Sequence, residues 1–308
     1  MAKITLPASE WSEQIYTGEQ LKQMPDEPIG YQVETLVPKQ GRVLIVAKAK
    51  RAKSTFAQQL ALAIVTGKEF LGFGCEKGTV LYLDLEGMSV KAIWVHRTKR
   101  IATQYTGNLS NFILVSKPEH LLIDTDAGKK ELEGLIQQFL PDVVIIDSKR
   151  YSMKGKEFDA EATLAWAKPI DELRNKYGTT FVIAQHATKK EYKELIDRAS
   201  GSSAQAGVVD VLLGIREGSD KYHRVMDITT RLEEEPEPLN LEFRGLFALS
   251  PEEQQIKAIK RQQAEEAFRL KQKLGLKPTA LVREIAKEIG ISEAYAWRVY
   301  GLLYKTAS

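Results

Sequence analysis

The chain has 308 residues, a formal net charge of +3 and 43% apolar residues, enough for one large or two smaller domains with a real core. Cys75 is the only cysteine and the four histidines lack ligand spacing, which excludes a disulfide framework and a cysteine-based zinc site. No apolar run reaches bilayer-spanning length, and the start lacks a basic stretch followed by an apolar one, so the expectation is a cytoplasmic protein with no membrane partner.

Residues 1–37 are polar with scattered aromatics and read as a lead-in, with a short helix near Ser12–Gln23. Gly41–Ala47 is a short β-branched run, as in a buried strand. An Ala- and Leu-rich run from Phe56 to Val65, closed by Gly67, predicts a helix with a glycine stop. Between them Ala47-x-x-x-x-Ala52-Lys53-Ser54 has the spacing of a phosphate loop, with alanine at both glycine positions.

A strand feeding a helix through a tight loop aims backbone N–H groups and the positive helix end at one point. Ala47, Lys48, Ala49, Lys50, Arg51, Ala52, Lys53, Ser54 and Thr55 are therefore the expected nucleotide-binding residues. Lys53 would reach the β- and γ-phosphates of ATP, and the Ser54 hydroxyl would hold Mg²⁺. A Cβ forced into left-handed backbone costs roughly 1–2 kcal/mol, which the cationic side chains of Lys48, Lys50, Arg51 and Lys53 would offset in part. The alternative is a basic strand-to-helix turn with no ligand.

Thr79–Leu85 reads as the next strand, ending at Glu86. An acid there is placed to orient or deprotonate water, because strand ends of an open α/β sheet line the ligand crevice; the alternative is a solvated acid. Helices are expected at Ser89–Gln104, Asp126–Leu140 and Asp159–Tyr177, the last stopped by Gly178, and a strand at Asn111–Val115. Val143-Val144-Ile145-Ile146 running into Asp147 has the pattern of a strand that delivers a carboxylate to Mg²⁺. Thr179–Gln185 predicts a strand ending at His186, a candidate sensor of the γ-phosphate, with Lys189 and Lys190 beyond.

Arg198–Gly207 is small and flexible, as suits a mobile loop, and Lys189, Lys190 and Arg198 are candidate nucleic-acid contacts. Val209–Arg216, Tyr222–Arg231 and Leu239–Leu249 are β-patterned and predict antiparallel strands extending the sheet. Arg231 stands just past the second, placed to act on a neighbouring subunit's nucleotide as an arginine finger or to pair with the acids after it.

Pro251 marks a boundary, giving an expected domain at 1–250 and a helical one at 251–308. The second carries eleven Lys/Arg against seven Asp/Glu, so the basic excess sits there. Glu252–Leu274, Pro278–Gly290 and Glu293–Tyr304 read as helices, the last two with apolar residues recurring at helical spacing. Such a pair suits a helix-turn-helix reading duplex DNA, with Glu293, Ala294, Ala296 and Arg298 on or near the recognition face. The alternative is a small protein-interaction bundle.

Taken together, residues 28–249 resemble the RecA-like ATPase superfamily, and within it the RepA-type branch of helicase-like ATPases, the AAA_25 group. The resemblance rests on Ala47-Lys-Ala-Lys-Arg-Ala-Lys-Ser54 through Thr66-Gly67-Lys68-Glu69-Phe70-Leu71-Gly72, on Tyr82-Leu83-Asp84-Leu85-Glu86, on Ile145-Ile146-Asp147-Ser148, and on Ala184-Gln185-His186. It implies an α/β core with a mostly parallel sheet plus added antiparallel strands, and MgATP bound between subunits of a homo-oligomeric ring. It implies Glu86 as the catalytic glutamate that activates water, Lys53 and the loop on phosphate, Ser54 and Asp147 on Mg²⁺, His186 as sensor, Arg231 acting across the interface, and single-stranded DNA as partner of the core. The expected function is an ATP-hydrolysing, DNA-associated protein of replication or recombination; the alternative is an inactive relative serving as a DNA-binding accessory.

Overall fold

Strands apolar on both faces need a layer on each side, and that requirement organises the fold. The computed structural model of the chain describes residues 16–25, 28–86, 91–116, 121–188, 209–232, 235–271 and 276–304. A nine-stranded sheet runs through it, built from β3 (Arg42–Ala47), β4 (Val80–Asp84), β5 (Phe112–Ser116), β6 (Val143–Asp147), β7 (Thr180–His186), β8 (Val211–Glu217), β9 (His223–Thr230), β10 (Leu239–Phe243) and β11 (Phe247–Leu249). The two strands before them, β1 (Tyr31–Val33) and β2 (Val37–Pro38), form a separate small antiparallel sheet.

The order in the large sheet is β11-β10-β9-β8-β3-β7-β6-β4-β5. The six strands from β8 to β5 are parallel, and β9, β10 and β11 extend them in antiparallel fashion. The chain leaves β3 for β4 and β5 at the far edge, then returns through β6 to β7 beside β3. The C-terminal ends of β3, β7, β6 and β4 therefore stand side by side. Register fixes the neighbours: Ala47 lies opposite His186, and Asp84 opposite Asp147.

Helix α1 (Gly18–Gln23) precedes the sheet; residues 12–15 of the predicted helix lie outside the described residues. Helices α2 (Lys53–Thr66) and α3 (Lys91–Ala102) cover one face, burying Phe56, Leu60, Ile64, Trp94 and Ile101 against Ile45, Tyr82 and Ile145. Helices α4 (Asp126–Phe139) and α5 (Ala160–Tyr177) cover the other, with Leu132, Ile136, Trp166 and Ile170 against Leu44, Leu83 and Ile146. The predicted stops Gly67 and Gly178 are both left-handed C-caps. Leu239–Leu249, read as one strand, is a hairpin instead: β10 and β11 pair across Gly245, whose φ of 88° turns the chain. Strands β1 and β2 had no sequence signal because two or three residues are too short for a periodic pattern.

Three helices close the chain: α6 (Pro251–Lys271), α7 (Pro278–Ile289) and α8 (Glu293–Tyr304). They bury Phe268, Leu281, Val282, Ile285, Tyr295 and Val299 in a third apolar cluster that shares no residue with the other two. Their junction with the sheet domain is polar. Arg298 pairs with Glu34 at 2.9 Å and with Glu69, and donates to the Gly72 carbonyl at 3.2 Å. Lys257 lies 3.5 Å from the Phe73 ring centroid and donates to the Leu71 carbonyl, while Thr35 bonds Ser292.

Candidate functional site

The site begins where β3 ends. Ala47 is fully buried at the centre of the sheet, and residues 48–50 then leave the core for solvent. The loop turns through two left-handed residues, Lys50 at φ 60° and Ala52 at φ 63°, and closes with the Arg51 N–H donating to the Lys48 carbonyl. Only one of the two expected glycine positions therefore carries strain: Ala47 is ordinary strand, and the other left-handed residue is Lys50. Both methyl groups lie on the core side, Ala47 within the apolar cluster under α2 and Ala52 packed against it. Arg51, expected on the ligand, is instead paired with Glu217 at the end of β8.

Helix α2 starts at Lys53 with no side-chain cap, so the amides of its first turn have no partner within the helix. Unpartnered amides at the N-terminus of a 14-residue helix, next to a cationic loop, form an anion site.

Three strand ends converge on it. Lys53, 6% exposed, places Nζ 3.0 Å from His186 Nδ1, and His186 Nε2 lies 3.0 Å from Glu86 Oε1. With the ammonium as donor, Nδ1 accepts and the ring proton sits on Nε2, directed at Glu86. The Ser148 hydroxyl also donates to Glu86 Oε1, at 3.3 Å. Burial pushes the Lys53 ammonium below its ordinary value, against the pull of Glu86, Asp147 and Glu157. The His186 hydrogen bond holds the Glu86 carboxyl below the usual range, more strongly than its burial raises it.

Asp147 is buried at the end of β6, and its Oδ2 accepts from Tyr82 at 2.7 Å. Its Oδ1 is buried without a hydrogen-bond partner among the described residues. Burial raises its carboxyl, with Tyr82 and the Ser54 hydroxyl working against that. Beside it, Asp84 accepts from Trp94 Nε1 at 2.8 Å and from Ser116. A cleft of about 320 Å³ opens next to the loop, lined by Thr55, Ile93, His96, Arg97 and Leu246.

Lys53, Ser54, Glu86, Asp147 and His186 are thus brought together. Arg231 is not. Thr230 pairs with Val211, which lies opposite Val43, so Arg231 stands at the other end of the sheet. There it pairs with Asp210 at 3.8 Å and donates to the Val209 carbonyl. Lys189, Lys190 and Arg198 lie outside the described residues. Arg298, expected on a surface facing nucleic acid, is turned into the polar junction, and Ala296 is buried in the third cluster. Glu157 had no sequence signal, because it sits in an irregular polar stretch. It is buried in the loop after β6, and its carboxyl is close enough to Lys53 for their charges to act on each other.

The model of the AAA_25 family, described as an AAA domain, matches residues 15–191, more than half of the chain. The chain belongs to the AAA_25 family. Among solved structures, the KaiC-like protein of the archaeon Pyrococcus horikoshii OT3 aligns over 73% of this chain and all of its own, at 13% identity and a TM-score of 0.51. The RadB recombinase aligns over 70% of this chain and 92% of its own, at 15% identity and a TM-score of 0.49. No curated protein matches the sequence. The RecA-like core with added antiparallel strands and a helical C-terminal region is as the sequence predicted.

The AAA domain's residues fit the groups its family implies. Among the described residues no three His, Cys, Asp or Glu side chains could cage a metal ion. Mg²⁺ needs no such cage when it takes one hydroxyl, one carboxylate, water and phosphate oxygens. The orphaned Oδ1 of Asp147, close to Ser54, is a donor set of that kind. The loop fits phosphate because the methyl groups at its two glycine positions, Ala47 and Ala52, are turned to the core.

Proposed function

We propose that this protein binds MgATP on the β3–α2 loop and hydrolyses it. The observation that carries the reading is the Lys53–His186–Glu86 chain across the ends of β3, β4 and β7, beside the orphaned oxygen of Asp147. Lys53 and the first amides of α2 would hold the phosphates, and the cleft beside Thr55 would take the base. Ser54 and Asp147 would hold Mg²⁺, which when bound neutralises charge on the β- and γ-phosphates. Glu86, ionised because its carboxyl is held low, orients the attacking water and receives its proton. His186 touches both Lys53 and Glu86, so a phosphate that draws Lys53 away frees the imidazole to respond.

We further propose that the partner is single-stranded nucleic acid. The segment between β6 and α5 presents Arg150, Tyr151, Lys154, Lys156 and Phe158 to solvent, and alternating cations and aromatics suit phosphates and unstacked bases. Arg231 can serve catalysis only in a neighbouring subunit, so its role as a finger requires a ring or filament. The helix-turn-helix reading of α7 and α8 requires a face other than the one holding Arg298, or release of that face.

The test is ATP hydrolysis with and without single-stranded DNA, beside Lys53→Ala and Glu86→Gln. The expected result is turnover that DNA stimulates and that falls by about 100-fold or more in Glu86→Gln. Wild-type turnover equal to that of Lys53→Ala overturns the enzymatic reading and leaves an ATP-binding or purely structural accessory.

A further inference from the structure

We propose that Tyr82 is a positioning residue for the metal site: its hydroxyl fixes the Asp147 carboxylate so that one oxygen is left for the cation. The proposal rests on the reading of Asp147 and Ser54 as Mg²⁺ ligands, and it names a residue that neither motif contains.

Strand β4 alternates, so Tyr82 and Asp84 point to the same face, toward α2 and α3. Tyr82 is completely buried. Its ring is held on two sides by edge contacts, with Trp94 at 5.2 Å and Phe112 at 6.1 Å between centroids. Trp94 is held in turn by its bond to Asp84. The ring therefore has one orientation, and it carries the hydroxyl to Asp147 Oδ2 at 2.7 Å, with the Ser54 carbonyl 3.5 Å away. A carboxylate oxygen can only accept, so at 2.7 Å the phenol O–H is the donor of this bond. It is thus a donor that occupies Oδ2 and leaves Oδ1 open. The same hydroxyl touches the strand that supplies the carboxylate and the helix turn that supplies the serine. It therefore sets the distance between the two ligands as well as the rotamer of one.

Partners that orient a metal's ligands commonly change metal affinity by about 10–100-fold when removed. Tyr82→Phe deletes the hydroxyl and keeps the ring. The measurement is the Mg²⁺ concentration that half-saturates the increase in affinity for a fluorescent ATP analogue, with the full-length protein. The expected result is a rise of about tenfold or more in that midpoint, with affinity for the Mg²⁺-free nucleotide unchanged. Leu132→Ala is the control for general loosening, because it opens the core on the other face of the sheet and leaves the Tyr82 hydroxyl and its ring contacts intact. It should lower thermal stability and leave the midpoint in place.

An unchanged midpoint in Tyr82→Phe, or an equal rise in Leu132→Ala, overturns the proposal. If Tyr82→Phe does not fold, 3-fluorotyrosine-labelled wild type is read by ¹⁹F NMR with Mn²⁺ replacing Mg²⁺ in the nucleotide complex. Selective broadening of a buried tyrosine signal supports the proposal, and none overturns it. Nucleotide affinity in wild type that ignores Mg²⁺ altogether would instead mark the failure of the functional reading on which this one rests.

Discussion

Arg298 is the side chain on which the docking of the C-terminal helices turns, and Arg298→Ala is the perturbation that tests it. Its side chain is 21% exposed and that of Glu34 is 12% exposed, so their pair at 2.9 Å is mostly removed from water. Removing one partner of a buried pair costs about 3–5 kcal/mol when the other is left charged. Two features reduce that here. Glu34 keeps the Gly74 N–H on its second oxygen, and the Lys257 ammonium still acts on its carboxyl once the guanidinium is gone. The contact to Glu69 adds little, because that side chain is more than half exposed. The expected cost is about 2–3 kcal/mol. Urea unfolding of wild type, Arg298→Ala, Glu34→Gln and the double variant at neutral pH completes the cycle, and the coupling should be about 1–2 kcal/mol. A cost for Arg298→Ala below about 0.5 kcal/mol, or additive single effects, would refute the view that this ion pair holds the junction.

Leu140 ends α4 in left-handed backbone at φ 45° with its side chain 73% exposed, so Leu140→Gly should stabilise the protein by about 1 kcal/mol; a lower melting temperature contradicts it. Ala52→Gly should change ATP affinity by less than about threefold, or 0.7 kcal/mol, because the Ala52 methyl packs on the core side; a tenfold gain by calorimetry would show that the methyl intrudes on phosphate. Lys149 is buried over Trp166 with its ammonium pushed down to about 8 from 10.5, so between those values the unfolded chain binds the extra proton. Its contribution to stability should therefore rise as pH climbs from about 8 to 10.5, by up to about 3 kcal/mol, and denaturant midpoints of Lys149→Met should show a flatter pH slope than wild type.

The sheet was legible because its inner strands are apolar on both faces and run into polar residues at their ends, a pattern that the order of residues exposes. The motif residues Lys53, Glu86, Asp147 and His186 were legible because each closes such a strand or opens such a helix. What the sequence concealed depends on three dimensions. Tyr82 looks like any aromatic strand residue until β6 is laid beside β4. The position of Arg231 depends on the antiparallel return of β9, which carries it away from the loop. Arg298 lies at a helical position equally suited to DNA or to docking, and only the place of Glu34 and Glu69 decides between them.

Helix α2 has a consequence beyond its role as a cradle wall. Eleven of its fourteen residues are buried, so it neither frays nor bends freely. At about 1.5 Å per residue it is a strut of roughly 21 Å, with Lys53 at one tip and the 69–73 turn that grips Arg298 and Lys257 just past the other. A stiff strut cannot shift at one tip alone. Hydrogen exchange of the α8 amides with and without nucleotide would read, from the far side of the molecule, whether the near tip has moved.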